Sequence, residues 1–386
     1  MQTRIHPSTD RYRKAIVDGF VDRDTRLLQY APDVRPPSGI PGLASADDYV
    51  RRWISQPAVA KRLRADVIHF ADDNGRAIRA TPPDRTLVTC HDLILLLAAE
   101  GSIPYDGPRW YINRFRWGTS VLRNLAAVVC PTEAVRRDIL RLCDVEPARV
   151  HAIHHGIGEQ FRQLPAEMRT RLRKGVGTGT AHILLHVGTG TFYKNVTATL
   201  ATLRALRDSG HDAVLVLVGQ QLGVSDRAEQ ARLGLESAVL ELGWVSDERL
   251  AELYNAADVL LFPSLAEGFG WPVAEAMACG TPVVASDIPA LREVGGDAIL
   301  YAPATDARAL ADAVRSLLDR PEGRAIAVEN VLERARQFDW GRALDEYEAL
   351  YREVADRASA SRRRSQGPRT APASHGYRSR LRPRDG

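Results

Sequence analysis

"PSLAEGFGWPVAEAMACGTPVVAS", residues 263–286, places two acids, Glu267 and Glu275, eight residues apart around Gly268, Phe269, Gly270, Trp271 and Pro272. The apolar run "DVLLFP" (258–263) leads into it and reads as a strand. Pro272 suits the first turn of a helix, where a missing N–H costs nothing, and Gly280 sits where a helix C-terminus favours glycine. "TPVVAS" (281–286) then reads as the next strand. Glu267 and the Gly-Phe-Gly segment therefore occupy a loop at the carboxyl end of a strand, where open α/β sheets bind ligands. Glycines let backbone amides approach an oxygen-rich ligand, and the helix N-terminus adds partial positive charge.

The same alternation runs outward in both directions. Strand candidates are "RLLQY" (26–30), "DVIHF" (66–70), "TLVTC" (86–90), "AAVVC" (126–130) and "VHAI" (150–153). They continue with "HILLHVG" (182–188), "AVLVLVG" (213–219), "AVLEL" (238–242), 258–263 and 281–286. Most are apolar on both faces, as parallel strands covered by helices on both sides should be. Between them lie amphipathic segments such as 247–257 and 309–320. The fold class expected is α/β, with two Rossmann-like domains. Residues 1–165 form the N-terminal domain, 166–180 an apolar-poor linker and 181–337 the second domain. A final amphipathic helix over 338–356 carries Trp340, Leu344, Tyr347 and Tyr351 on one side. Residues 8–20 already read as helix, so the first domain either begins with a helix or lacks its first strand.

Composition narrows the class. The 386 residues suit two domains, and 45% hydrophobic with 26% charged residues describes a globular body. The N-terminus lacks an apolar signal core and no run reaches membrane-span length, so a cytoplasmic protein is expected. Cys90, Cys130, Cys143 and Cys279 are scattered and read as reduced. Residues 357–386 hold nine arginines against one acid, +8, which leaves the rest of the chain at −4 of the overall +4. This tail reads as disordered and basic, solvated or weakly attracted to anionic surfaces, with no specific nucleic-acid partner.

Glu267 over the loop and Glu275 one turn into the helix can each accept hydrogen bonds from hydroxyls, with a phosphate cradle between them. Singly each has an ordinary explanation, since a helix N-terminus favours any acid and loop acids are commonly solvated. Together they match sugar hydroxyls, diphosphate and ribose hydroxyls, hence a nucleotide-sugar donor. The long motif resembles the signature of the group 1, glycogen-synthase-like, retaining glycosyltransferases, with likeness over roughly 60–356. The resemblance implies two Rossmann-like domains facing a cleft (a GT-B-type architecture) and a C-terminal helix crossing back to the first domain. It also implies that Glu267 meets the donor sugar, Gly268, Phe269 and Gly270 meet sugar and phosphate, and Glu275 holds the ribose.

Further segments extend the resemblance. In "HVGTGTFYKN" (186–195), Gly188 and Gly190 permit a tight turn and Lys194 can neutralise a leaving diphosphate. The family commonly uses a basic pair there, whereas this chain has Thr189 and Tyr193 where an arginine is usual. The backbone near Val245 resembles the pocket for the nucleotide base. His91, in "TLVTCHDL" (86–93), matches a histidine that faces the reacting sugar. His154 and His155 point to opposite faces if extended, which argues against a shared ion. No metal and no other cofactor are expected, because Lys194, backbone amides and a helix N-terminus can stabilise the leaving group.

The segment 108–127 is rich in tryptophan and arginine. Tyr111, Phe115, Leu122 and Leu125 are expected on one helical face, with Arg109, Arg116 and Arg123 as a stripe. It reads either as a core-packed helix or as a surface touching anionic membrane, at the inner face, or a lipid-linked acceptor. The expected activity is metal-independent, retaining transfer of a sugar to a hydroxyl of a carbohydrate or lipid-linked acceptor, in cell-envelope polysaccharide or glycolipid synthesis. Two alternatives stand beside it: a sugar phosphorylase or nucleotide-sugar epimerase of related fold, and a non-catalytic nucleotide-sugar-binding protein.

Overall fold

A computed structural model describes residues 7–21, 23, 56–72, 75–105, 107–219 and 221–365. The strand expected at 26–30 lies outside the described residues, as do 366–386 of the basic tail. The remaining strands form two parallel sheets. The first has the order β1 (Ile68–Phe70), β2 (Thr86–Thr89), β3 (Ala127–Cys130), β4 (Val150–Ala152). The second contains β5 (His182–Gly188), β6 (Ala213–Gly219), β7 (Val239–Gly243), β8 (Val259–Phe262), β9 (Val283–Ser286) and β10 (Leu300–Ala302). Its spatial order is β10-β9-β8-β5-β6-β7. Every residue of β2, β3, β8 and β9 is buried, which is why these runs show no polar alternation.

The second sheet reverses direction between β5 and β8. The chain winds from β5 outward to β7, then returns so that β8 pairs with β5, Leu184 beside Val259. Loops after β5 and β8 therefore diverge and open a crevice at the strands' carboxyl ends. β10 escaped the sequence reading, because it is a three-residue edge strand whose first residue, Leu300, is exposed.

Two segments differ from expectation. The linker contains an 11-residue helix, Ala166–Val176, closed by Gly177 in the left-handed conformation at φ 78°. It has no buried residue, so its polarity looked like a loop's, although Ala, Glu, Met, Arg, Leu and Lys are all good helix formers. Arg173 anchors it to Asp258 (2.6 Å) and to the Ala181 carbonyl (2.7 Å). The last helix runs Trp340–Ser365, so residues 357–365 continue the helix instead of joining the tail.

That helix crosses back to the first sheet, as expected. Leu344, Tyr347, Tyr351 and Val354 pack with Leu87, Val129 and Ile153, and with Tyr12, Ile16 and Phe20 of the helix Pro7–Gly19. The Tyr12 hydroxyl lies 2.8 Å from that of Tyr347 and 2.7 Å from Thr89. All four cysteines are free and buried. Among the described residues, no helix is long and apolar enough to cross a membrane.

Candidate functional site

The helix Trp271–Ala278 starts as its sequence indicates, with Pro272 in the first turn and Gly270 as N-cap at φ 89°. A Cβ on Gly270 would also stand 2.5 Å from Leu291, so this position admits glycine only. Gly268 is tighter still, since an added Cβ would fall 1.8 Å from the His91 carbonyl oxygen. The Glu267–Gly270 loop thus touches the turn after β2, and the two strand-end loops face each other directly. Thr132 donates to the Gly268 carbonyl at 2.8 Å. Phe269 turns inward and is buried against His155, Trp271 and Phe338.

Lys194, 73 residues before Glu267, reaches it across the crevice between β5 and β8, Nζ to Oε1 2.6 Å. Their side chains are only 10% and 8% exposed, so this is a sequestered ion pair. Removing one member of such a pair costs about 3–5 kcal/mol, because a buried charge is left alone. Around it, Gly190 is left-handed at φ 67°. A Cβ on Gly188 would press the His186 ring (3.2 Å) and the Lys194 stem (3.3 Å). Burial, and then the Lys194 charge, hold His186 down at about 4.

Glu275 is fully buried. Arg11, on the N-terminal helix, donates to its Oε1 at 2.5 Å, and the Tyr254 hydroxyl donates to its Oε2 at 2.9 Å. Burial raises the carboxyl above its ordinary range, with Arg11 and Tyr254 pulling the other way. Arg11 also lies 3.6 Å from Asp247, just past the turn that holds Val245. Val245 is half-buried against the second domain's core. Ser246 beside it caps the helix Asp247–Ala256 by accepting from the Arg249 N–H.

His91 donates from Nε2 to the Ala71 carbonyl at 2.8 Å, which anchors its ring to the first domain. It sits edge-on to Tyr12 (5.0 Å) and near His155 (5.6 Å). His154 and His155 part company: His154 meets Glu293 at 2.9 Å, while His155 stacks against Trp271 and Trp340. Burial lowers His155 well below the ordinary histidine range. Among the described residues, no group of three or more His, Cys, Asp or Glu side chains could hold a metal ion.

The structure therefore gathers Lys194, Glu267, Gly188 and Gly190 at the sheet's reversal point, with His91 opposite and Glu275 on the adjacent helix. Arg11, Tyr254, Thr132 and Glu293 had not been singled out. Glu293 spans the two halves, accepting from the Glu133 and Ala134 N–H groups at 2.7 and 3.0 Å. No motif marks these residues, because each acts across a distance of 21 residues or more.

Comparison with known proteins decides the family. Residues 168–334 match Glycosyl transferases group 1, and residues 14–161 match Glycosyltransferase Family 4. The O-antigen chain mannosyltransferase B of Escherichia coli is 30% identical over 261 residues, 67% of each chain. The chain belongs to the group 1 glycosyltransferases. It spans between about half and two thirds of the length of the curated relatives it matches. This glycosyltransferase also shares its fold with the sucrose-phosphate synthase of Thermosynechococcus elongatus, with TM-score 0.71, 22% identity and 90% and 94% of the two chains covered. Anabaena HepE, solved in complex with UDP and glucose, aligns with TM-score 0.65 and 19% identity over 76% and 79% of the chains.

The helix Arg109–Thr119 corrects one expectation. Its buried residues are Ile112 and Thr119, whereas Tyr111 is 46% exposed. The helix ends at Thr119 and a 3-10 turn follows at Leu122–Asn124, so Leu122 and Leu125 are buried through that turn and not along one helical face. Trp110 (63%) and Trp117 (45%) stand in solvent beside exposed Arg109, Arg116 and Arg123. The Arg79 guanidinium lies 4.5 Å from the Trp117 ring and donates to its carbonyl.

Proposed function

We propose that this glycosyltransferase moves a sugar from a nucleotide-diphosphate donor to a hydroxyl acceptor, with retention at the anomeric carbon and without a metal. The observation that carries the reading is the buried Lys194–Glu267 pair at the reversal point of the second sheet. In the proposed cycle, Glu267 accepts hydrogen bonds from donor sugar hydroxyls and Lys194 meets the diphosphate. Glu275 takes the ribose, the backbone near Val245 the base, and His91 faces the sugar from the other domain. The acceptor oxygen bonds to the anomeric carbon on the face from which the phosphate oxygen leaves. The hydroxyl proton passes to that phosphate oxygen. Lys194, the amides of Phe269 and Gly270, and the turn at Gly188 and Gly190 hold the growing negative charge, the kind of preorganised donor set that contributes most to such steps.

HepE's complex with UDP and glucose supports a nucleotide-sugar donor by likeness of fold. The acceptor is a carbohydrate or a lipid-linked hydroxyl. The exposed Trp110, Tyr111 and Trp117 among arginines suit contact with an anionic membrane. Flotation with anionic vesicles, lost when Arg109, Arg116 and Arg123 are all changed to Ser, is the outcome this part requires. For the main reading, UDP-, GDP- and ADP-sugars are assayed for transfer and for the anomeric configuration of the product. Glu267→Gln should abolish turnover while leaving the melting curve cooperative. Near-normal turnover in that variant, or an inverted product, would overturn it.

A further inference from the structure

We infer that Arg11 is a second cation for the donor diphosphate, held on Glu275 until a nucleotide arrives. This inference rests on the reading of the cleft as a nucleotide-sugar site. A diphosphate carries about two negative charges, one on each phosphate in its ester form, and the turn after β5 brings Lys194 with the neutral Thr189 and Tyr193. The helix Pro7–Gly19 brings a guanidinium to the other end of the same crevice.

The surroundings of Arg11 are not those of a surface ion pair. Its guanidinium lies 5.5 Å from the Trp271 ring and 5.9 Å from Phe161, and its partner Glu275 has no exposed area. Burial works against its charge, and Glu275 and Asp247 overcome it, so the group is held above its ordinary range. Both proposed donor-binding carboxylates are thus occupied by cations: Glu267 by Lys194 and Glu275 by Arg11. The two pairs stand on loops and helices that the donor would bridge from sugar to ribose.

Donor entry would exchange partners at both positions. Hydroxyls of sugar and ribose would donate to the two carboxylates, and the released ammonium and guanidinium would turn to the phosphates between them. Neutral hydroxyls alone would leave a half-buried guanidinium with Asp247, 3.6 Å away, as its remaining close counter-charge once Glu275 turns to the ribose, which is costly. A phosphate next to the ribose supplies that charge, and the planar fork of arginine matches it in two parallel hydrogen bonds. Arg11 also borders an open space of about 330 Å³ together with Asp10, Arg13, Lys14, Val17 and Asp18 of its own helix. Arg13 is already engaged by Asp10 at 3.2 Å, which leaves Arg11 as the arginine directed at the nucleotide acid.

The test uses the full chain and calorimetric titration with UDP, GDP and ADP, each beside its phosphate-free nucleoside. Arg11→Gln should weaken the preferred diphosphate by roughly 10- to 100-fold, the worth of one charge-assisted hydrogen-bonded contact, and leave the nucleoside nearly unchanged. Arg11→Lys keeps the charge and guards against a folding defect; it should retain most of the preference for diphosphate over nucleoside. Equal loss for diphosphate and nucleoside would overturn the inference. So would unchanged binding, or tighter binding, which would make Arg11 a plug instead of a ligand. If the wild-type protein binds none of the diphosphates, the nucleotide reading of the cleft falls with it. If it binds one and Arg11→Gln binds it equally, only the role of Arg11 falls.

Discussion

The two acids of the central motif live in different settings. Glu267 is neutralised within the second domain, by a lysine from the neighbouring strand's turn, and needs nothing from the first domain. Glu275 is neutralised by Arg11 from a helix that belongs to the first domain and packs on the final helix. One half of the proposed donor site is therefore prebuilt by a single sheet. The other half is assembled only when the domains meet. A short motif can specify the first arrangement, because sheet order brings β5 and β8 together. It cannot specify the second.

The largest effect should come from breaking the prebuilt pair. Lys194→Met should lower turnover by roughly 10²–10³-fold, the usual loss for one charge-stabilising donor. It should also destabilise the fold by about 3–5 kcal/mol, because Glu267 stays buried without a partner. Adding Glu267→Gln should restore much of the melting temperature and none of the turnover. If the single variant melts like wild type, the pair is not sequestered as described.

Next in size is an acid transition from two buried histidines, one in each sheet. His186 is held at about 4 and His69 at about 3, chiefly by burial. A base whose folded-state value is depressed takes up its proton on unfolding, so stability is whole above about pH 6.5 and falls as pH drops toward 4. Denaturant melts at pH 7.5, 6, 5 and 4 should show that slope. Since the Lys194 charge contributes to the His186 shift, Lys194→Met should flatten it; a slope that rises instead would reject the assignment.

The smallest effect concerns the interdomain half. Glu293 is held below the ordinary carboxyl range: burial opposes this, and His154 and the Glu133 and Ala134 amides outweigh it. A depressed acid stabilises above its unfolded value and releases that stability as pH falls, so the clamp weakens below about pH 4. Glu293→Gln should cost about 1 kcal/mol, as loss of a helix cap does, and should increase the radius of gyration in small-angle scattering. Unchanged scattering would show that Thr132, Arg11 and the crossing helix close the cleft unaided.

Much of this was legible in the sequence for identifiable reasons. Strands β2, β3, β5, β6, β8 and β9 are buried apolar runs, and burial on both faces leaves a continuous hydrophobic signature. The Gly270 N-cap, Pro272 and Gly280 punctuate a helix in ways only those residue types can. The helix Ala166–Val176 was missed because it buries nothing, so no periodicity betrayed it. β10 was missed because three residues at a sheet edge carry too little pattern. Leu122 and Leu125 do not share a helical face with Tyr111 because the helix ends at Thr119, and a 3-10 turn changes the phase of the residues that follow.

By itself, the sequence determined that parallel strands alternate with helices, and that a glycine-bounded loop carries Glu267 ahead of a helix carrying Glu275. Those are local consequences of burial, backbone freedom and helix termini, each decided within a few residues. Only the tertiary structure decided which cation reaches which acid. Lys194 meets Glu267 because strand order places β5 beside β8, and Arg11 meets Glu275 because the first domain's helix folds over the cleft. Charges 73 and 264 residues apart in the chain share no local physics until the fold brings them within hydrogen-bonding distance.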